Sequence, residues 1–343
     1  MSDAMSALSG SLDSTSATRD PSTARLAAAM THAASAQTYY TIRCLADRDR
    51  VADAYRAYAY FRWVDDHIDE GDAGAAERAA FLRRQQMLLE AVYRGRMPGD
   101  LCLEEQLLVD LINGDAEPDS GLHAYLDNMM AVMAFDLERR GRLISAAELE
   151  RYTDLLATAV SEALFHFIGH DTPPPLEGRA TAVRGAHIIH MLRDLIEDCA
   201  GGYYNIPAEY LAAHGIGMGD CDHPAFRAWV AERVALARDC FREGRAFIAR
   251  VPSARCRLAG RAYIARFEYV AGLIERDGYR LRAAYPERKS ARAALWMGGG
   301  RQLRITNYEL RIRKMTADNR QQTTVVVGRQ ELSCRPPNNR MIT

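Results

Sequence analysis

Two segments of this chain each set a pair of aspartates one helical turn apart, and no other feature limits the fold as tightly. The first is Tyr60-Phe61-Arg62-Trp63-Val64-Asp65-Asp66-His67-Ile68-Asp69. The second, about 130 residues later, is His190-Met191-Leu192-Arg193-Asp194-Leu195-Ile196-Glu197-Asp198. Both lie in sequence with helical periodicity, so Asp65 and Asp69 share a helix face, as do Asp194 and Asp198. Each pair extends a longer polar stripe: Tyr58, Arg62, Asp65 and Asp69 on one helix, and His187, His190, Asp194 and Asp198 on the other. Like charges at this spacing cost a helix roughly 0.2–0.5 kcal/mol per pair, and burying them costs far more without a cation between them. Two such stripes in apolar helices are expected to line a shared polar cavity inside a bundle. A hard cation with oxygen ligands meets the charge, above all Mg²⁺ bridging to substrate phosphates.

Spacing alone is not selective. Asp49/Asp53 and Asp115/Asp119 repeat it, the first in the charged run Asp47-Arg48-Asp49-Arg50 and the second in the turn-like Gly114-Asp115-Ala116-Glu117-Pro118. Both read as solvated surface. Arg62 and Arg193, each just N-terminal to its aspartates, set the other two pairs apart. Removing Asp65 or Asp194 is expected to relieve repulsion and leave the fold intact or slightly more stable.

The two segments resemble the aspartate motifs of the squalene/phytoene synthase family, the head-to-head prenyl-diphosphate condensing enzymes. Tyr58-Ala59-Tyr60-Phe61-Arg62-Trp63-Val64-Asp65-Asp66-His67-Ile68-Asp69 matches the first motif and Leu192-Arg193-Asp194-Leu195-Ile196-Glu197-Asp198 the second. Tyr152 followed by Ala157, Thr158, Ala159, Val160 and Ser161 is similar to the helix between them, and Thr38-Tyr39-Tyr40 to the entry of the first core helix; the resemblance spans roughly residues 32 to 285. It implies an all-α, single-domain helical bundle of the isoprenoid-synthase type around a central cavity. It also implies Mg²⁺ (or Mn²⁺) on Asp65, Asp69, Asp194 and Asp198, with Tyr58 and Tyr152 lining the cavity. Arg62, Arg193, His187 and His190 would contact the substrate, a farnesyl or geranylgeranyl diphosphate. Two such chains would join through a cyclopropylcarbinyl diphosphate into a squalene- or phytoene-like product, with NADPH use left open. His187 and His190 depart from the Gln and Asn usual there, and the stretch Gly201-Gly202-Tyr203-Tyr204-Asn205-Ile206-Pro207 lacks the usual Arg. Facing carboxylates or diphosphate, both histidines are expected to favour the charged form and give an acid-side pH dependence. Glu162, His166 and His170, spaced along the preceding helix, read as ordinary polar positions at its end.

The remaining sequence fits one enzyme domain. Apolar residues make up 48% of 343, enough for a large core, and the net charge of −1 argues against nucleic acid as partner. Seven scattered cysteines without a C-x-x-C pair point to reduced thiols in a cytoplasm. No apolar run is long enough to span a bilayer, while greasy substrates leave peripheral membrane contact open. Residues 1–24 read as a disordered tail, 25–295 as the helical domain, and 296–343 as a poorly ordered extension containing the strand-like Thr323-Thr324-Val325-Val326-Val327. Helices are expected over 25–44, 47–70, 75–94, 101–113, 120–139, 146–169, 179–200, 207–213, 224–249 and 253–284. Two other classes stay in view: a non-catalytic relative acting as a binding or assembly module, and a di-iron bundle built on His187, His190, Glu162 and His166. The latter lacks the E-x-x-H pairs such bundles use.

Overall fold

The computed structural model describes residues 21–69, 74–97, 99–115, 117 and 120–289. These hold eleven α-helices and no strand. They are α1 (Pro21–Ala34), α2 (Ala36–Leu45), α3 (Val51–Asp69), α4 (Ala75–Tyr93), α5 (Leu103–Asn113) and α6 (Gly121–Arg139), then α7 (Ala146–Phe167), α8 (Thr181–Ala200), α9 (Ala208–His214), α10 (Pro224–Arg250) and α11 (Ala254–Arg276). Residues through Tyr285 cluster as one unit and those from Pro286 as another, of which only the 3-10 helix Pro286–Lys289 is described. The expected strand at 323–327 and most of both expected terminal segments lie outside the described residues. None of the described helices is long and apolar enough to cross a membrane.

Local chemistry explains where the elements stop. The helix expected over 25–44 begins earlier, at Pro21, and breaks at Ser35. Ser35 caps α2, its Oγ accepting from the Thr38 backbone N–H at 3.1 Å. Ser145 and Glu148 form the capping box expected at the start of α7. The last long helix ends at Arg276 rather than 284, because Gly278 and Tyr279 take left-handed φ values of 62° and 64°.

Each aspartate helix is held by its own neighbours. On one side, α3 packs against α1, α5 and α6; on the other, α8 packs against α7, α10 and α11. The α6–α7 pair bridges the two groups. Asp53 is not the solvated residue expected from its charged surroundings. It is buried and paired with Arg56 at 2.8 Å, in a network that continues through Thr23 to Asp110 and pins α1, α3 and α5 together. A second network runs from the Tyr60 hydroxyl to Gln85 (3.1 Å), then Glu105 (2.9 Å) and Arg84 (2.6 Å). It fixes the apolar side of the first aspartate helix to α4 and α5.

Close backbone approach fixes α8 against α10. A Cβ at Gly244 would lie 2.7 Å from Ala182 Cβ and 2.9 Å from its Cα, atoms that cannot swing away. Gly244→Ala should therefore destabilise the fold by about 1–3 kcal/mol in urea unfolding, although alanine is the better helix former. An unchanged or raised midpoint would show that the two helices do not meet this closely.

Candidate active site

The site is built from α3, α6, α7, α8 and the segment after α8. On α3, Arg62 lies 3.4 Å from Asp65 and also pairs with Asp66. One turn on, Asp69 accepts a hydrogen bond from the Tyr203 hydroxyl, a residue just beyond α8. On α8, Arg193 grips both oxygens of Asp194, with Nε 2.6 Å from Oδ1, while His190 Nε2 stands 2.9 Å from Oδ2. Asp198 accepts from Asn205 at 2.9 Å. The two acidic segments therefore meet through Tyr203 and Asn205, two residues of one short loop.

Arg139 on α6 occupies the centre. It is 4% exposed. Its Nε donates to Asp136 at 2.6 Å and its Nη1 to Asn205 at 2.6 Å. Its guanidinium lies 4.5 Å from the Tyr152 ring centre and 5.0 Å from that of Tyr203. Tyr152 in turn donates its hydroxyl to Asp136 at 3.1 Å. One cation thus ties α6, α7 and the loop after α8 into a single polar wall. Sequence reading missed Asp136, Arg139, Tyr203 and Asn205. A weak signal was present in the i, i+3 spacing of Asp136 and Arg139, ahead of Tyr152 on the next helix.

The acids outnumber the cations that face them, and they titrate accordingly. Burial and the neighbouring Asp69 push Asp65 up to about 6, with Arg62 opposing and Asp136 adding to the rise. Burial and Asp194 push Asp198 up to about 7, despite Arg139. Burial also raises Asp136, against the pull of Arg139 and Tyr152. Asp194 behaves oppositely. Burial would raise it, but hydrogen bonds from Arg193 and His190 hold it well below the usual carboxylate range. The opposite shifts of Asp65 and Asp194 predict opposite effects of their removal on stability.

The sequence-predicted residues divide by depth. Arg62, Asp69 and His190 are exposed, at the mouth of the site. Tyr58 is half-buried one turn before Arg62. Tyr152 and His187 form the buried inner wall, their rings meeting edge to face at 5.3 Å. Burial, His190, Arg139 and Arg233 drive the His187 imidazole well below 6.5, so the acid-side titration expected of it does not arise there. Glu162 is elsewhere engaged, with Arg179 at 2.6 Å, and His166 lies against Arg50. Neither joins the aspartates.

The donor set suits a divalent cation. Asp65 and Asp198 are raised by neighbouring acids as well as by burial, a charge deficit that a hard cation with oxygen ligands would relieve. Among the described residues no three His, Cys, Asp or Glu are gathered into a ready-made cage. Mg²⁺ does not need one, since it takes one or two carboxylates and completes its shell with phosphate and water.

These shifts fix the sign of a stability test. With its folded pKa raised from 3.8 to about 7, Asp198 contributes stability that is complete below about pH 4 and lost as pH rises through 7. Asp198→Asn should match the parent melting temperature near pH 4.5 and exceed it by a few degrees at pH 8. Asp194→Asn, which removes a group held ionised, should melt lower than the parent at neutral pH. A pH-independent difference for Asp198→Asn would contradict the crowded acidic site.

The chain is similar to known proteins in sequence and in fold. The family described as Squalene/phytoene synthase matches residues 31–295. The chain is 28% identical over 197 residues to the presqualene diphosphate synthase of Zymomonas mobilis, an alignment covering 56% of this chain and 62% of that protein. It is 27% identical over 236 residues to the phytoene synthase of Thermus thermophilus, covering 66% of this chain and 75% of that protein. The match thus spans about three fifths of the first relative's length. The fold resembles that of a dehydrosqualene synthase solved with a ligand, at a TM-score of 0.64 and 16% identity over 81% of this chain and 94% of that one. With the family matching most of its length, the chain belongs to the squalene/phytoene synthase family.

Proposed function

We propose that this protein is a divalent-cation-dependent prenyltransferase that joins two prenyl diphosphates head to head. The observation that carries the reading is that one aspartate of each pair, Asp69 and Asp198, is joined through Tyr203 and Asn205 to the polar wall held by Arg139. Asp65, Asp69, Asp194 and Asp198 would hold Mg²⁺, or Mn²⁺ in its place. The cation supplies Lewis-acid neutralisation of the departing diphosphate.

The protein's own groups have distinct tasks. Arg193 and His190 keep Asp194 ionised and oriented before any ligand arrives. Asn205 and Tyr203 orient Asp198 and Asp69. Arg62 at the exposed mouth has the fork geometry to exchange Asp65 and Asp66 for a diphosphate oxygen pair. On ionisation of one allylic diphosphate, the C2–C3 double bond of the second attacks the cation, and proton loss closes a cyclopropylcarbinyl diphosphate. The second diphosphate then leaves with its electron pair, the ring opens to a linear allylic cation, and that cation ends either by losing a proton or by accepting hydride from NADPH.

The test is incubation with farnesyl or geranylgeranyl diphosphate and Mg²⁺, with and without NADPH, followed by product identification. A coupled product with pyrophosphate release is expected, abolished by EDTA. Asp65→Ala and Asp198→Ala should each lower kcat at least about a hundredfold, or ~3 kcal/mol of transition-state stabilisation. Only single-chain alcohols, or activity indifferent to EDTA, would sink the reading and favour a binding module.

A further inference from the structure

Ionising a prenyl diphosphate asks for a divalent cation, and the donor atoms of a site decide which cation it prefers. Mg²⁺ takes oxygen ligands, whereas an imidazole nitrogen favours first-row transition ions, Co²⁺ more than Mn²⁺. The four motif aspartates offer oxygen alone. A nitrogen donor beside them would shift the preference of the site.

His190 is placed to be that donor. Its neighbours on α8, Ile188, Ile189, Met191 and Leu192, are buried, yet half of its own side chain is exposed. The ring therefore leaves the apolar core, on the helix face that carries Asp194 and Asp198. Its Nε2 stands 2.9 Å from Asp194 Oδ2. Adjacent donors of an octahedral ion with bonds of about 2.1 Å lie about 3.0 Å apart. The observed separation is thus that of two donors able to share one cation, which would replace the proton that joins them. With half of the side chain exposed, water can accept the Nδ1 proton that coordination through Nε2 requires.

A histidine and an aspartate one turn apart can also make a plain surface pair. Two features set this pair apart. Arg193 alone already grips both oxygens of Asp194, so the carboxylate does not need His190 for a partner. The pair also borders Asp198, one turn on, where burial and the charge of Asp194 leave a carboxylate in want of a cation. His187, three residues earlier, is buried and has no such partner.

We propose that His190 is a cation ligand, acting through Nε2 together with Asp194 Oδ2, and that it turns the preference of the site from Mg²⁺ towards transition ions such as Mn²⁺ and Co²⁺. The inference rests on the prenyltransferase reading above and names the cation of that same site. Before a cation arrives the imidazole orients Asp194. Binding uses the Nε2 lone pair, and the ring keeps one proton, on Nδ1. Oxygens of diphosphate and water complete the shell, so a third protein donor is not required.

The experiment uses the full chain with inorganic pyrophosphate and Mg²⁺, Mn²⁺ or Co²⁺, and needs no turnover. It compares the parent with His190→Asn, which sets an amide oxygen in place of the imidazole nitrogen, and with His187→Gln as a control. Histidine carries a heavy nitrogen isotope, so pulsed EPR of bound Mn²⁺ reports a coordinated imidazole directly. The parent should show the coupling to labelled nitrogen. His187→Gln should keep it, and His190→Asn should lose it while still binding Mn²⁺. By calorimetry, the ratio of Co²⁺ to Mg²⁺ affinity should fall at least about tenfold in His190→Asn and stay within about twofold in His187→Gln. Bound Mn²⁺ without the coupling in the parent would overturn the proposal. So would a coupling that survives His190→Asn or is removed by His187→Gln, an affinity ratio equal in parent and His190→Asn, or loss of all cation binding in His190→Asn. A parent that binds none of the three ions with pyrophosphate would instead overturn the reading on which the proposal rests.

Discussion

The organisation of this protein depends on the buried contacts of Arg139. Its guanidinium bonds Asp136 on its own helix and Asn205 across the site, and lies against the rings of Tyr152 and Tyr203. Asn205 then reaches Asp198, and Tyr203 reaches Asp69. The packed α6–α7 pair is thereby tied to the loop after α8 and, through it, to both acidic helices. A buried arginine left without these partners would be costly.

The same wall creates the electrostatic imbalance that defines the site. One buried cation cannot neutralise Asp136, Asp65, Asp69 and Asp198. Asp194 escapes because Arg193 and His190 serve it alone. The site is therefore asymmetric: one carboxylate is ionised and held, while two others retain protons into the near-neutral range. The excess negative charge is what the proposed divalent cation would relieve. The depth gradient adds direction. Charged groups stand at the mouth, and aromatic rings with a buried histidine stand within, an order that suits the proposed prenyl diphosphate.

Much of this was legible in the sequence. Helical spacing placed each aspartate pair on one face of its helix, and the helix breaks at glycine, proline and capping residues fell close to their observed positions. What could not be read depended on distance along the chain. Arg139 meets Asn205 across 66 residues, and no local pattern marks either. Asp53 looked solvated among charged neighbours, yet its environment is set by Arg56 one turn on and by helices far away in sequence. Asp65 and Asp194 were indistinguishable by motif, because the difference lies in the hydrogen bonds each receives. His187 departs visibly from the family pattern, whereas its burial without a hydrogen-bond partner depends on the packed helices around it.

The central claim is that the two acidic segments form one site. Calorimetric titration of the protein with preformed Mg²⁺–pyrophosphate tests it most directly. The account predicts a single class of binding event in the parent, lost or weakened at least about tenfold by Asp65→Asn and by Asp198→Asn alike. Two separable events, each removed by only one of the substitutions, would contradict it.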